Sequence, residues 1–176
     1  MKIRRVVTGH SPEGKAIFAS DTMVEGTTVA LAPGNEIHRL WGADETATFP
    51  DDGSTPTFPA YFPEVGGFRF GLFTVPPVTE IDLTKIDMES AALEIEEKWP
   101  GMADHMEPEN PGMHTTDTID YEYVISGEVW LELDDGEEVC LKAGDTVVQN
   151  GTRHAWRNKT DHPCQMVVCL IGARRT

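Results

Sequence analysis

The chain has 176 residues, 39% of them hydrophobic and 25% charged, enough for one domain with a real core. Lys and Arg total 14 against 30 Asp and Glu, a formal net charge of −16 that repels phosphate backbones and anionic headgroups and argues against nucleic acid or membrane surfaces as partners. Three cysteines without a CxxC pair argue against a disulfide framework and against a thiolate zinc site.

The basic start (Lys2, Arg4, Arg5) leads into no apolar run of signal-peptide or membrane-span length, so a cytoplasmic location is expected. Residues 3–8, 16–20 and 27–32 read as short strands, separated by turn clusters at 9–14 and at Pro33-Gly34-Asn35. Residues 50–63 form a proline-rich loop whose aromatics Phe58, Tyr61 and Phe62 should pack down onto the fold. A strand over 68–75 stops at Pro76-Pro77. The pattern over 91–99 predicts a helix, with Ser90 as its cap and Pro100-Gly101 as its end. Strands return at 121–126, 129–133, 139–141, 146–149, 154–157 and 164–171, each about five residues long and bounded by turns. Short strands at regular spacing argue for a sandwich or barrel. The expectation is a single domain over 1–176: strands and a loop to 83, a helical insertion over 84–110 and a barrel core over 111–172.

Two segments carry a family resemblance. In the first, His114 is followed by Thr116, Asp120 and Gly127; in the second, Gly144 is followed by Gln149, Gly151, His154 and Asn158. Together they resemble the two motifs of the cupin superfamily, whose barrels are small jelly rolls. His114 falls on the first histidine of the first motif, Thr116 on the second and Asp120 on the glutamate, with the proper six residues before Gly127. Gly151, His154 and Asn158 match the second motif in register, and Gln149 replaces its proline. The resemblance implies an all-β cupin jelly-roll barrel or sandwich, with an N-terminal strand extension and one inserted helix. It also implies a homodimer, because cupins commonly pair through edge strands; exchange of N-terminal strands would cover exposed edges.

In metal-binding cupins the motif histidines and glutamate hold one divalent metal. Here His114, Asp120 and His154 keep a ligand type, and two His with one carboxylate is the facial triad of non-haem Fe(II); Mn, Ni or Zn also suits it. Glu122 shares the strand face of Asp120, so two inward acids would push one pKa upward, which suits a general acid or base. Gln149, Trp156, Asn158, Thr116 and Arg69 complete the set expected to meet a small-molecule substrate. The implied function is a metalloenzyme, a dioxygenase or decarboxylase, acting on an oxygenated or aromatic molecule. The same residues admit a metal-free isomerase or cyclase with His114 and Glu122 as acid and base, or a non-catalytic binder.

Overall fold

The computed structural model describes residues 1–78 and 86–176, so the boundary expected at 83–84 lies outside the described residues. In chain order the elements are β1 (Lys2–His10), β2 (Ala16–Glu25), β3 (Glu36–Ala43), β4 (Phe68–Val75), α1 (Met88–Lys98), β5 (Thr118–Ser126), β6 (Glu128–Glu132), β7 (Glu138–Lys142), β8 (Thr146–Asn150), β9 (Ala155–Arg157) and β10 (Cys164–Gly172). They build an all-β jelly roll. One sheet has the order β3-β4-β10-β5-β8 and the other β7-β6-β9, while β1 and β2 pair with each other as a separate ribbon. The N-terminal extension therefore divides, and β3 alone widens the sandwich.

Between the two sheets, Val75, Val124, Cys164 and Met166 from one meet Val129, Leu131 and Leu141 from the other. Full burial of an aliphatic side chain of this size contributes about 1.5–3 kcal/mol, so this cluster holds the barrel closed. The hairpin from β5 to β6 turns at Gly127, whose φ is 79°. A Cβ there would lie 2.6 Å from the Pro163 carbonyl oxygen, so only glycine fits. A second cluster of Val29, Trp99 and Met102, with Phe62, Ile95 and Met106 against it, walls the cavity that β5 and β10 also line.

Two expectations are corrected here. Residues 27–32 make no strand beyond one bridge from Thr27 to Ile37. They wrap under α1 instead: the Ala30 amide donates to Glu94 Oε2, and the Trp99 indole donates to Thr27 Oγ1. The strand of this region is β3, which sequence reading passed over. The helix starts earlier than Ser90, with Asp87 as its cap accepting from the Glu89 amide and from Ser90 Oγ. A side-chain oxygen there satisfies a free first-turn N–H, a contribution of about 1 kcal/mol.

Candidate active site

Alternation along β5 sends Thr118, Asp120, Glu122 and Val124 into the barrel and Ile119, Tyr121, Tyr123 and Ile125 out of it. Across the sheet, Asp120 pairs with Leu170 and Gln149, and Glu122 with Val168 and Val147. Glu122 therefore has aliphatic neighbours on both sides, while Asp120 has Leu170 on one side and the Gln149 amide on the other. Asp120 Oδ1 and Glu122 Oε2 are buried and have no hydrogen-bond partner among the described residues. Burial pushes the Asp120 carboxyl up to about 6, with the Thr118 hydroxyl opposing. Burial, and then the charge of Asp120, raise Glu122 well above the ordinary carboxyl range. Both carboxyls are therefore shifted toward the protonated form, Glu122 by burial and by the charge of Asp120.

His114 and His154 are fastened to each other through their backbones. Each amide donates to the other's carbonyl at 2.9 Å, and the ring centroids lie 4.2 Å apart. His114 Nδ1 bonds the Gly112 carbonyl at 3.0 Å, and His154 Nδ1 bonds the Thr152 carbonyl at 2.9 Å. A carbonyl only accepts, so each Nδ1 carries the proton and each Nε2 keeps its lone pair. The positive φ of Gly112, 84°, puts its carbonyl where His114 needs it. Burial lowers the pKa of His114, and burial together with the neighbouring His114 lowers that of His154 to about 4. Both rings are neutral at pH 7.

Asp120, Glu122, His114 and His154 line one cavity of about 530 Å³. Its walls are mainly apolar, with Phe62, Trp99, Met102, Met106 and Trp156 prominent. Among the described lining residues none is Lys or Arg. Tyr61 also lines it; burial raises its phenol pKa, and the nearby Asp120 and Glu122 charges add to the rise while Arg39 opposes it. The Tyr61 amide donates to the Pro100 carbonyl, which ties the proline-rich loop to the end of α1. Sequence reading assigned Tyr61, Trp99 and Met102 no part in the site. A tyrosine among prolines and a tryptophan at a helix end carry no spacing signal that joins them to β5.

Of the residues expected to meet substrate, Trp156 lines the cavity and stands edge-on to His154. The other four do not. The Gln149 amide donates to the Thr152 carbonyl, the same oxygen that accepts from His154, so Gln149 orients that histidine from behind. Asn158 is consumed by backbone: its Nδ2 donates to the Val75 and His162 carbonyls, and its Oδ1 accepts from the Thr160 amide and hydroxyl. Thr116 is buried and shares its hydroxyl with Thr118. Arg69 spends its guanidinium on Asp44 and on the carbonyls of Ala43, Ala60, Phe62 and Phe68, stacked over Phe58. It clamps the loop that carries Tyr61. Arg69→Ala should lower unfolding free energy by about 3 kcal/mol, read from the denaturant midpoint, because buried partners lose their donor.

The donor set tests whether a metal fits. The two Nε2 atoms are credible ligands, held by the backbone bonds at Nδ1. Among the described residues, however, no three His, Cys, Asp or Glu side chains come together as a metal-binding group, and Asp120 does not complete the triad with the histidine pair. The residues present do not fit the cupin cage.

A jelly roll whose cavity wall carries a histidine from each motif resembles the cupin architecture. Residues 104–170 match the family model described as Cupin domain. It is similar to phomopsin biosynthesis cluster protein C' of Diaporthe leptostromiformis, at 54% identity over 48 residues, 27% of this chain and 25% of that protein. The match thus spans a quarter of that relative's length. The cupin-domain-containing oxidoreductase fogC of Aspergillus ruber is 27% identical over 173 residues, covering 97% of this chain and 72% of that protein. A Cupin 2 conserved barrel domain protein from Salinispora arenicola superposes with a TM-score of 0.43 at 19% identity, covering 83% of this chain and 82% of that one. No helix among the described residues is long and apolar enough to cross a membrane.

Proposed function

We propose that the cavity is the active site of a metal-free cupin that moves protons on a small neutral organic molecule, as an isomerase or cyclase does. The carrying observation is the pair of unpartnered carboxyl oxygens, Asp120 Oδ1 and Glu122 Oε2, buried in the wall of a mainly apolar cavity. A buried polar atom without a partner costs about 1–3 kcal/mol, so a ligand that supplies the partner recovers that cost on binding. The Asp120 carboxylate takes a proton from the substrate, and the Glu122 carboxyl gives one to a carbonyl oxygen. The proton count of an isomerisation then balances without an oxidant. The Nε2 atoms of His114 and His154 accept hydrogen bonds from substrate hydroxyls. Since no described lining residue is cationic, a substrate carboxylate would go uncompensated, which weighs against decarboxylation.

The two unprotonated Nε2 atoms, on rings whose centroids lie 4.2 Å apart, support a second reading, a metal-dependent oxidoreductase such as a dioxygenase; fogC carries the name oxidoreductase. Elemental analysis of protein purified without a polyhistidine tag, followed by incubation with neutral enolisable ketones in D2O, separates the two. The first reading expects no stoichiometric metal and deuterium entering the carbon skeleton of a turned-over ketone. Stoichiometric transition metal, lost in a His114→Ala/His154→Ala double variant together with all turnover, would establish the second instead.

A further inference from the structure

Four strands bring Arg39 and Glu122 into one row on the inner face of the large sheet. Arg39 of β3 pairs with Gly71 of β4, Gly71 with Val168 of β10, and Val168 with Glu122 of β5. Residues directly paired across strands share a face, so the guanidinium and the carboxyl stand on the same side of the sheet. With neighbouring strands about 4.8 Å apart, roughly 14 Å of sheet separates the two backbones. Tyr61 lies in that gap. It lines the 530 Å³ cavity with Asp120 and Glu122, and a second cavity of about 20 Å³ with Arg39, Gly71 and Val168. Its phenol feels the charges of all three, and among the described residues its hydroxyl has no hydrogen-bond partner. The backbone around it is gripped from both sides. The Ala60 carbonyl accepts from Arg39 and Arg69, the Phe62 carbonyl accepts from Arg69, and the Tyr61 amide donates to Pro100. A loop residue held this way has little freedom left to lose, as a preorganised donor requires. Arg39 itself is half-buried, and burial and the neighbouring Arg69 lower its pKa.

We infer that the Tyr61 hydroxyl donates a hydrogen bond to the substrate oxygen on which negative charge develops, and that Arg39 is a positioning residue acting through it. The inference rests on the proton-transfer reading of the cavity. When Asp120 removes a proton from the carbon beside a carbonyl, the C–H electron pair becomes a C=C bond and the carbonyl π pair moves onto oxygen. Glu122 gives its proton to that oxygen. In the second half of the reaction Glu122 takes the proton back and Asp120 returns one to carbon, so atoms and electrons balance without an oxidant. An oxyanion in an apolar cavity needs more than one donor. Other donors in the wall are spent: the Trp99 indole donates to Thr27, the Asn35 amide to the Ala32 carbonyl, and both histidines turn Nε2 to the cavity as acceptors. The Tyr61 hydroxyl is not. Burial keeps its phenol protonated through the neutral range, so it donates without losing its proton. The Arg39 charge opposes that rise, so a cation meets the negative charge drawn onto the phenol oxygen.

Two measurements on the intact protein test this. In steady-state exchange of an enolisable ketone in D2O, Tyr61→Phe should lower kcat about 100- to 1,000-fold, the cost of one lost oxyanion donor, and leave KM within about threefold. Arg39→Met should lower kcat about tenfold in the wild-type background and leave it unchanged in Tyr61→Phe, while Arg39→Lys restores most of the loss. An arginine that only clamps the loop would cost the same in both backgrounds. The second measurement needs no turnover. In para-nitrophenol the ionisable oxygen stands in for the enolate oxygen, and absorbance reports its charge. Its ionisation constant when bound should be about tenfold larger on the wild type than on Tyr61→Phe. The variant keeps the aromatic ring, and its melting profile checks that it folds. An ionisation constant unchanged by Tyr61→Phe, or para-nitrophenol that does not bind the wild type, overturns the inference whatever the ketones do. The tenfold loss without ketone exchange in the wild type upholds the donor and sinks only the proton-transfer reading. Ketone exchange that Tyr61→Phe leaves intact overturns the inference and spares that reading.

Discussion

Asp120→Asn lowers kcat/KM by about two to four orders of magnitude for the substrate turned over, the usual contribution of a positioned general base. The amide fits the same space and loses only the ability to take a proton. The pH profile gives the sharper signature. Burial raises the Asp120 carboxyl to about 6, so wild-type kcat/KM should climb as pH rises through about 6 and the carboxylate forms. In Asp120→Asn that limb disappears and only a low, flat residue of activity remains. Glu122→Gln also slows turnover, because the proton donor is lost, but it keeps the limb, since Asp120 still titrates. Steady-state kinetics from pH 5 to 8 on the three proteins separates the roles. A limb that persists unchanged in Asp120→Asn would move the base to another residue, with His114 and His154 next in line.

The two roles rest on information of two kinds. The strict alternation over residues 118–125 is local, and it is legible in the sequence that Asp120 and Glu122 share a face. The pairing of His114 with His154 was legible because both fall on motif positions, and the backbone bridge between them brings that pairing about. Where side chains of the same motifs point was not legible. Asn158 bonds a carbonyl 83 residues away, at Val75, and Arg69 bonds a loop that no pattern places beside it. Tyr61 reaches the cavity from a loop without periodicity, and Trp99 from the end of a helix whose pattern does not say what it packs against. Strand β3 carries no hydrophobic alternation in the sequence because two of its three buried positions are His38 and Gly42. Residues 27–32 were misread because an apolar run looks the same whether it pairs in a sheet or wraps a helix. Periodicity reports the face a residue takes, while the partner on that face comes from distant chain.

The same acids and histidines set opposed pH dependences of stability that single variants will unmask. Asp120 moves from an ordinary 3.8 up to about 6 on folding, so the native state binds its proton more tightly than the unfolded chain. Its contribution is fully present below about pH 4 and is lost as pH rises through about 6, a change of about 3 kcal/mol. His154 moves the other way, from 6.5 down to about 4, so the unfolded chain binds its proton more tightly. Its contribution is absent at low pH and grows by about 3 kcal/mol as pH rises from about 4 to 6.5. Both side chains are almost fully buried, so solvent screening removes little of either effect. In the wild type the two changes nearly cancel across one window. Asp120→Asn leaves the His154 change alone, so its stability relative to wild type should rise by about 3 kcal/mol between pH 4 and 6.5. His154→Gln leaves the Asp120 change alone, and its relative stability should fall by a similar amount. Urea unfolding at five or six pH values gives both profiles, and comparison with wild type cancels the surface carboxylates they share. Two variant profiles parallel to the wild type would mean that neither group changes its proton affinity on folding, and the cavity would then be wet and open to solvent. Slopes of opposite sign would place a dry acid and a dry base inside one barrel, which is the arrangement that proton transfer on a neutral substrate requires.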